Sequence, residues 1–255
     1  MDNALLVGLS RQMALGHEFD VVANNIANVN TTGYKADNAA FAQYLMPGAS
    51  DNDFTGTDQR IAFVQDRASW IDLGAGSIDH TGNPLDIAID GKGYLVVQTP
   101  RGRRYTRDGT LSINANGTLV TGDGSPVLGT GGTIAFQPTD HDVSISPSGM
   151  ITVRSSNGTA SVQRGQLQLV VFDRPQSLRK DGGSTFAAPA SVNANPAPPS
   201  TRVVQGALEK SNVRAVVEMA RMIEISRNFS DISDLLQQEG DLQRTALKQL
   251  AQTPT

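Results

Sequence analysis

The sequence predicts an α+β fold in which N- and C-terminal helices form a coiled-coil-like assembly domain and the middle is a turn-rich antiparallel all-β domain. Three observations predict it. Apolar residues near both ends recur at heptad spacing, short apolar runs alternate in the middle, and 18 of the 25 glycines lie between Gly74 and Gly183. The expected boundaries are residues 1–35 for the first assembly helix, 36–75 for an extended connector, 76–205 for the β-domain and 206–255 for the second assembly helix.

The first 30 residues contain no proline, and Leu15, Phe19, Val22, Ile26 and Val29 stand 4, 3, 4 and 3 apart, the seam of an amphipathic helix. At the other end Met222, Ile225, Phe229, Ile232 and Leu236 repeat the spacing as 3, 4, 3 and 4, a second heptad seam. Between them Leu85, Ile87 and Ile89 alternate with Asp86, Ala88 and Asp90, and residues 94–97 form a compact apolar run; both read as strands.

Turn dipeptides at Asp90-Gly91, Asp108-Gly109, Asn116-Gly117, Asp123-Gly124, Ser148-Gly149 and Asn157-Gly158 supply the positive φ that tight hairpins need. Ser112-Ile113 leads to Gly117 and Leu119, and Ser144-Ile145 leads to Gly149 and Ile151, each at an offset of 32 residues, which predicts two similar hairpins rather than a repeat array. Residues 46–56 and the proline-rich 187–200 read as connectors.

A net charge of −4 from 21 basic and 25 acidic residues leaves no sustained positive field to attract nucleic acid. The chain has no cysteine, which excludes disulfide frameworks, thiolate zinc sites and cysteine nucleophiles. The opening lacks the charge order of a secretory signal, and no apolar run is long enough for membrane insertion.

Catalytic patterns do not assemble. His17, His80 and His141 share no metal-ligand spacing. Gly91-Lys92-Gly93 lacks the first glycine and the trailing hydroxyl of a phosphate loop and reads as a hairpin turn. Asp79, Asp86 and Asp90 read as a solvated face rather than a glycosidase pair. The expectation is a protein that is not an enzyme and has no cofactor or metal.

Two clusters remain. Asn24, Asn25, Asn28 and Asn30 fall within seven positions at the end of the first helix. Gly33 and Asn30 suit a helix C-cap, whereas the amides of Asn24, Asn25 and Asn28 suit a crowded interface between helices. Arg101, Arg103, Arg104 and Arg107 place four guanidinium groups in seven residues. They read equally as solvated surface or as partners for a neighbour's carboxylates.

The string NNIANVNTTGYK, residues 24–35, resembles the N-terminal signature of the bacterial flagellar rod and hook proteins. Residues 81–129, from TGNPLDIAIDGKGYLVV to GSPVLG, are similar to the opening of the family's β-domain, and residues 206–230, GALEKSNVRAVVEMARMIEISRNFS, extend the likeness. Residues 36–75 and 130–200 resemble it less. The opening 35 residues look more like the proximal-rod members than the distal-rod ones.

The resemblance implies a structural subunit of the basal-body rod, the torque-transmitting axial shaft of flagellar motility. It also implies self-assembly with copies of itself and other rod subunits, passage through the flagellar export apparatus without signal cleavage, and a place spanning the periplasm. A distal rod or hook-like subunit is the alternative within the family. A secreted enzyme acting on cell-wall glycan is the alternative from another class.

Each seam offers five large apolar side chains, too few to offset the entropy of ordering a lone helix. The two ends are therefore expected to be loose in a free chain and ordered on assembly.

Overall fold

The computed structural model describes residues 2–47, 60–155 and 161–251. The chain divides into two compact units: a helical unit of Met1–Ala27, Asp37–Trp70 and Arg214–Thr255, and a β-rich unit of Asn28–Ala36 and Ile71–Val213.

In the helical unit, α1 spans Asp2–Ala27 and α2 spans Ala215–Ala251. α1 stops short of the expected residue 35. Past Ala27 the Thr31 N–H turns back to the Asn28 carbonyl at 3.1 Å, a tighter turn that breaks the α pattern, and the chain leaves through Gly33 at a left-handed φ of 67°. α2 begins with Glu218 in its first turn, where a carboxylate complements the helix dipole. The expected connector holds two long strands, Asp37–Pro47 and Arg60–Ile71, paired as a two-stranded sheet. Residues 48–56 of the predicted 46–56 connector lie outside the described residues.

The β-rich unit is built from antiparallel pairings. Its largest sheet orders six strands as Arg179–Lys180, Thr185–Ala187, Gly102–Thr106, Tyr94–Thr99, Leu169–Phe172 and Ala194–Pro196. The second predicted connector thus contributes an edge strand, and its proline there blunts the edge against further pairing.

Strand Tyr94–Thr99 separates two cores. Successive side chains of a strand point to opposite faces. Leu95 and Val97 accordingly join Ile87, Leu119, Ile151 and Val203 on one side, while Tyr94 and Val96 join Val170, Phe172, Leu178 and Phe186 on the other. This is why residues 94–97 read as an unbroken apolar run. The second core is aromatic, with Tyr94 lying 5.8 Å from Phe172 and 5.7 Å from Phe186 between ring centroids.

The 32-residue echo is real to the level of single hydrogen bonds. Ile113 pairs with Leu119 and Ile145 with Ile151. In the first hairpin the Gly117 N–H donates to Asn114 O at 2.9 Å and the Phe136 N–H to Gly117 O at 2.7 Å; in the second, the Gly149 N–H donates to Ser146 O and the Leu167 N–H to Gly149 O, both at 2.8 Å. Each hairpin loop is therefore pinned by a buried apolar residue further along the chain. Asn157-Gly158 lies outside the described residues, but its flanking strands Met150–Ser155 and Ser161–Gln166 pair as a hairpin requires.

Two predicted hairpins are not hairpins. Ile87–Asp90, just before Gly91, pairs with Arg202–Gln205, while Tyr94–Thr99 pairs within the six-stranded sheet. Gly109 likewise links strands of different sheets. Its requirement is room, since a Cβ there would lie 1.6 Å from the Ile87 carbonyl oxygen. Asp86 also departs from the solvated face expected of it: it is buried, accepting hydrogen bonds from Thr81 Oγ1 at 2.7 Å and Asn83 Nδ2 at 2.9 Å.

Candidate assembly interface

α1 and α2 run antiparallel. Gln12 Nε2 donates to Ser233 Oγ at 3.2 Å, the Arg221 guanidinium meets Glu18 at 2.7 Å, and Leu236 lies over Gly8. Leu15, Val22 and Ile225 are buried between the helices, with Ile26, Met222 and Ile232 packed partly against them. Both helices are formed and paired within a single chain, so the expectation of loose ends without a partner needs amendment: each seam has a partner, though a thin one.

Phe19 and Phe229 belong to the same heptads yet remain 39% and 40% exposed. With Leu15, Gly16, Asp20, Ile225 and Ser226 they line an open groove of about 330 Å³. Met13, Val216, Ile223 and Leu235 are exposed as well, which puts apolar surface on more than one side of the pair. Val29 departs from the seam altogether and packs with Tyr34, Ala36 and Val213 in the β-rich unit, because α1 has already ended.

The asparagines divide in the same way. Asn25 is buried, and its amide clasps the Asp37 backbone, Nδ2 donating to the carbonyl at 2.8 Å and Oδ1 accepting from the N–H at 2.9 Å. It thereby fixes the start of strand Asp37–Pro47 and is spent within the chain rather than offered to a neighbour. Asn28 Oδ1 accepts from Thr31 Oγ1 at 3.1 Å in the turn after α1. Asn24 is exposed and stands on the outer surface of α1.

The arginine cluster is largely committed internally. Arg101 and Arg104 both pair with Asp181. Arg107 is buried, donating from Nη1 to Glu209 Oε2 at 2.9 Å and from Nη2 to the Gly91 carbonyl at 2.6 Å. Arg101, Arg104 and Arg107 thus each have a carboxylate partner within the chain, and Arg103 is exposed.

Arg107 leads to residues that sequence reasoning missed. Lys35 Nζ donates to Glu209 Oε1 at 2.5 Å and to the Gly74 carbonyl at 2.7 Å, and the Gly76 N–H donates to the same Glu209 oxygen at 3.0 Å. The side chains of Lys35, Glu209 and Arg107 are 0%, 1% and 6% exposed. Burial alone would raise the Glu209 pKa, but the charges of Arg107 and Lys35 and the hydrogen bonds from Lys35 and Gly76 outweigh it and hold the carboxyl below its usual range. Burial pushes the Lys35 ammonium down, and Glu209 restores only part of the loss.

Asn212 completes the node, accepting from the Ala36 N–H at 2.7 Å and donating to the Asp72 and Gly74 carbonyls at 2.9 and 3.2 Å. Among the described residues no group of three His, Cys, Asp or Glu side chains could hold a metal ion, and no helix is long and apolar enough to cross a membrane.

Comparison with known proteins follows the same geography. Residues 5–35, covering most of α1 and the turn after it, match the flagella basal body rod protein family. Residues 88–153, including both echoing hairpins, match the flagellar hook protein FlgE/F/G D1 domain, and residues 204–249, which carry Glu209 and most of α2, match the flagellar basal body rod FlgEFG protein C-terminal family. The flagellar basal-body rod protein FlgF of Caulobacter vibrioides is 36% identical over 252 residues, covering 98% of both chains. FlgF of Mesorhizobium japonicum is 33% identical, again covering 98% of both, and FlgG of Bacillus subtilis is 32% identical over 92% of this chain and 94% of its own. A likeness that spans the helical pair and the β-rich unit alike makes this chain a member of the flagellar basal-body rod protein family, FlgF-like within it, and a structural subunit of the rod.

Proposed function

We propose that the chain is a proximal-rod subunit that polymerises by covering the groove along its α1–α2 pair with helices of neighbouring copies and of other rod subunits. The observation that carries the reading is the half-satisfied seam: Leu15, Val22 and Ile225 are buried, while Phe19 and Phe229, from the same heptads, are left on an open groove. Two half-exposed aromatic rings held at one groove offer a neighbour a concentrated apolar contact. A head-to-tail contact of this kind that does not close into a ring builds a helical tube, which suits a shaft that carries torque.

The proximal position is supported by the identity to FlgF chains, 33% and 36% over nearly the full length. A periplasm-spanning location and delivery through the flagellar export apparatus without signal cleavage belong to the same proposal. Its role is cohesive rather than catalytic.

Phe229→Asp tests the assembly reading. The variant is expected to remain a folded monomer with unchanged near-ultraviolet circular dichroism and to fail to restore motility to cells lacking the wild-type subunit. Restored motility with normal rods would exclude the groove as an assembly surface. Subtype is tested separately, by locating the labelled subunit in isolated basal bodies: density next to the membrane-proximal base supports the proximal assignment, and density at the far end assigns it to the distal rod.

A further inference from the structure

One cluster of buried charges in the β-rich unit comes from three distant parts of the chain. Lys35 lies on the strap Asn28–Ala36, Arg107 follows strand Gly102–Thr106, and Glu209 ends strand Ala207–Glu209. Glu209 is 174 residues from Lys35 and 102 from Arg107. Both cations converge on this one carboxylate, one per oxygen.

Without Glu209, closing this region would bury two cations with no carboxylate bonded to either, leaving them the Gly74 and Gly91 carbonyls, the Tyr94 ring beside Arg107 and the more distant charge of Asp72 on Lys35. Unpaired buried charge is among the costliest arrangements a fold can contain. The surrounding backbone also fits with no slack: a Cβ on Gly33 of the strap would lie 2.4 Å from the Asp108 backbone nitrogen, and one on Gly76, against the returning segment, would lie 1.9 Å from the Lys210 carbonyl oxygen. Backbone and side chain agree on the same meeting, since the Gly33 N–H donates to the Glu209 carbonyl at 2.8 Å and Asn212 stitches Ala36 to Asp72 and Gly74.

We propose that Lys35, Arg107 and Glu209 form an interlock that lets the β-rich unit close over its N-terminal strap only once the returning segment, residues 206–213, has docked. Strand pairing brings Glu209 in, as Ala207–Glu209 pairs with Ile78–His80, and the carboxylate then makes burial of both cations tolerable. In sequence the strap follows α1 and the returning segment precedes α2. The interlock therefore delays the finished β-rich unit until nearly the whole chain is present. It is independent of where in the rod the subunit stands.

Amide exchange on the full-length chain tests this through a charge-balance cycle. Glu209→Gln keeps the shape and leaves two cations with a neutral partner. It is expected to speed exchange at residues 33–36, 74–76 and 206–210 by about 100-fold or more, while the hairpins at 111–121 and 140–155 change less. Adding Lys35→Met removes one of the stranded cations and is expected to recover about tenfold of that protection, although the double variant has lost more native contacts than the single one.

Unchanged exchange in Glu209→Gln would overturn the proposal. So would a double variant that exchanges as fast as or faster than the single one, because the segments would then be held by packing alone. If Glu209→Gln unfolds outright, the double variant decides: recovered protection in the two hairpins supports the interlock, and continued unfolding overturns it.

Discussion

The two units of this protein draw on the same apolar alphabet and use it differently. The β-rich unit encloses its own cores, with Leu95, Leu119, Ile151 and Phe186 removed from water. The helical unit buries Leu15, Val22 and Ile225 and leaves Met13, Val216, Ile223 and Leu235 outside. A unit that closes on itself reads as a finished object, whereas one with surplus apolar faces reads as a component. On the proposed function, that difference leaves cohesion between subunits to the helices and shape to the β-rich unit.

The sharpest way to break the comparison is to disturb packing in each unit and ask whether the costs differ. Gly109→Val should unfold the β-rich unit at ordinary temperature, because its side chain has to displace the Ile87 backbone; a loss above about 4 kcal/mol is expected. A thermal melt within a few degrees of wild type would show that this loop adapts and that the unit is looser than its contacts indicate. Phe186→Ala should follow at about 3 to 5 kcal/mol, since the ring is fully buried against Tyr94; chemical denaturation measures it.

Much of this division is legible in the sequence, and the failures share a cause. Heptad spacing finds both helices because it is a local signal, and turn glycines find the two echoing hairpins for the same reason. Val29 continues the heptad on paper, yet the helix has stopped at Ala27, so periodicity alone places it on the wrong surface. Arg107 sits among arginines that are largely at the surface, and nothing within several residues of it announces a buried partner. Its partner Glu209 is 102 positions away, beyond the reach of any local pattern. Asn25 lies in the last turn of α1, and its amide clasps a backbone 12 residues on, a partner that helical periodicity does not announce.

The same long-range charge pairing gives the β-rich unit a dependence on acid. Glu209 has a folded pKa held below its ordinary value of 4.5. Its contribution is therefore complete above that value and is lost as pH falls from about 4.5 through the folded pKa. The groups bearing on it are Arg107, Lys35 and the Gly76 N–H, with Asp72 acting on Lys35 and Tyr94 within reach of its charge. Lys35 acts in the other direction. Its lowered pKa means that the unfolded chain binds the extra proton, so stability rises as pH increases from the folded pKa toward 10.5. Melting curves of wild type and Glu209→Gln across pH 3 to 6 should converge on the acid side; parallel curves would remove Glu209 as the cause.

Dynamics separates the units next. Amide exchange across α1 and α2 in the free chain should be faster than in strands Tyr94–Thr99 and Met150–Ser155, because among the described residues the apolar cluster between the helices has Leu15, Val22 and Ile225 as its buried members, whereas larger closed cores hold the strands. Equal protection in a verified monomer would mean that the helix pair is stable alone, and assembly would then add cohesion without ordering.

The smallest expected effect is also the most discriminating for the helices, because it separates local propensity from packing at single methyl resolution. Three glycines lie within them. A Cβ on Gly16 or Gly240 meets nothing within 4 Å, whereas one on Gly8 would come within 2.6 Å of the Leu236 side chain. Alanine in a helix interior is favoured over glycine by about 0.5 to 1 kcal/mol. Gly240→Ala should therefore raise helix stability by about that amount and leave assembly intact, and Gly8→Ala should gain less, since Leu236 has to move. Gly16 lines the groove with Phe19 and Phe229, so Gly16→Ala should give the monomer the same helical gain while narrowing the surface offered to a neighbour. A rise in monomer helicity by circular dichroism together with weaker rod assembly is the expected pair of results. If Gly16→Ala assembled as well as Gly240→Ala, the groove would not be the face that neighbouring subunits cover.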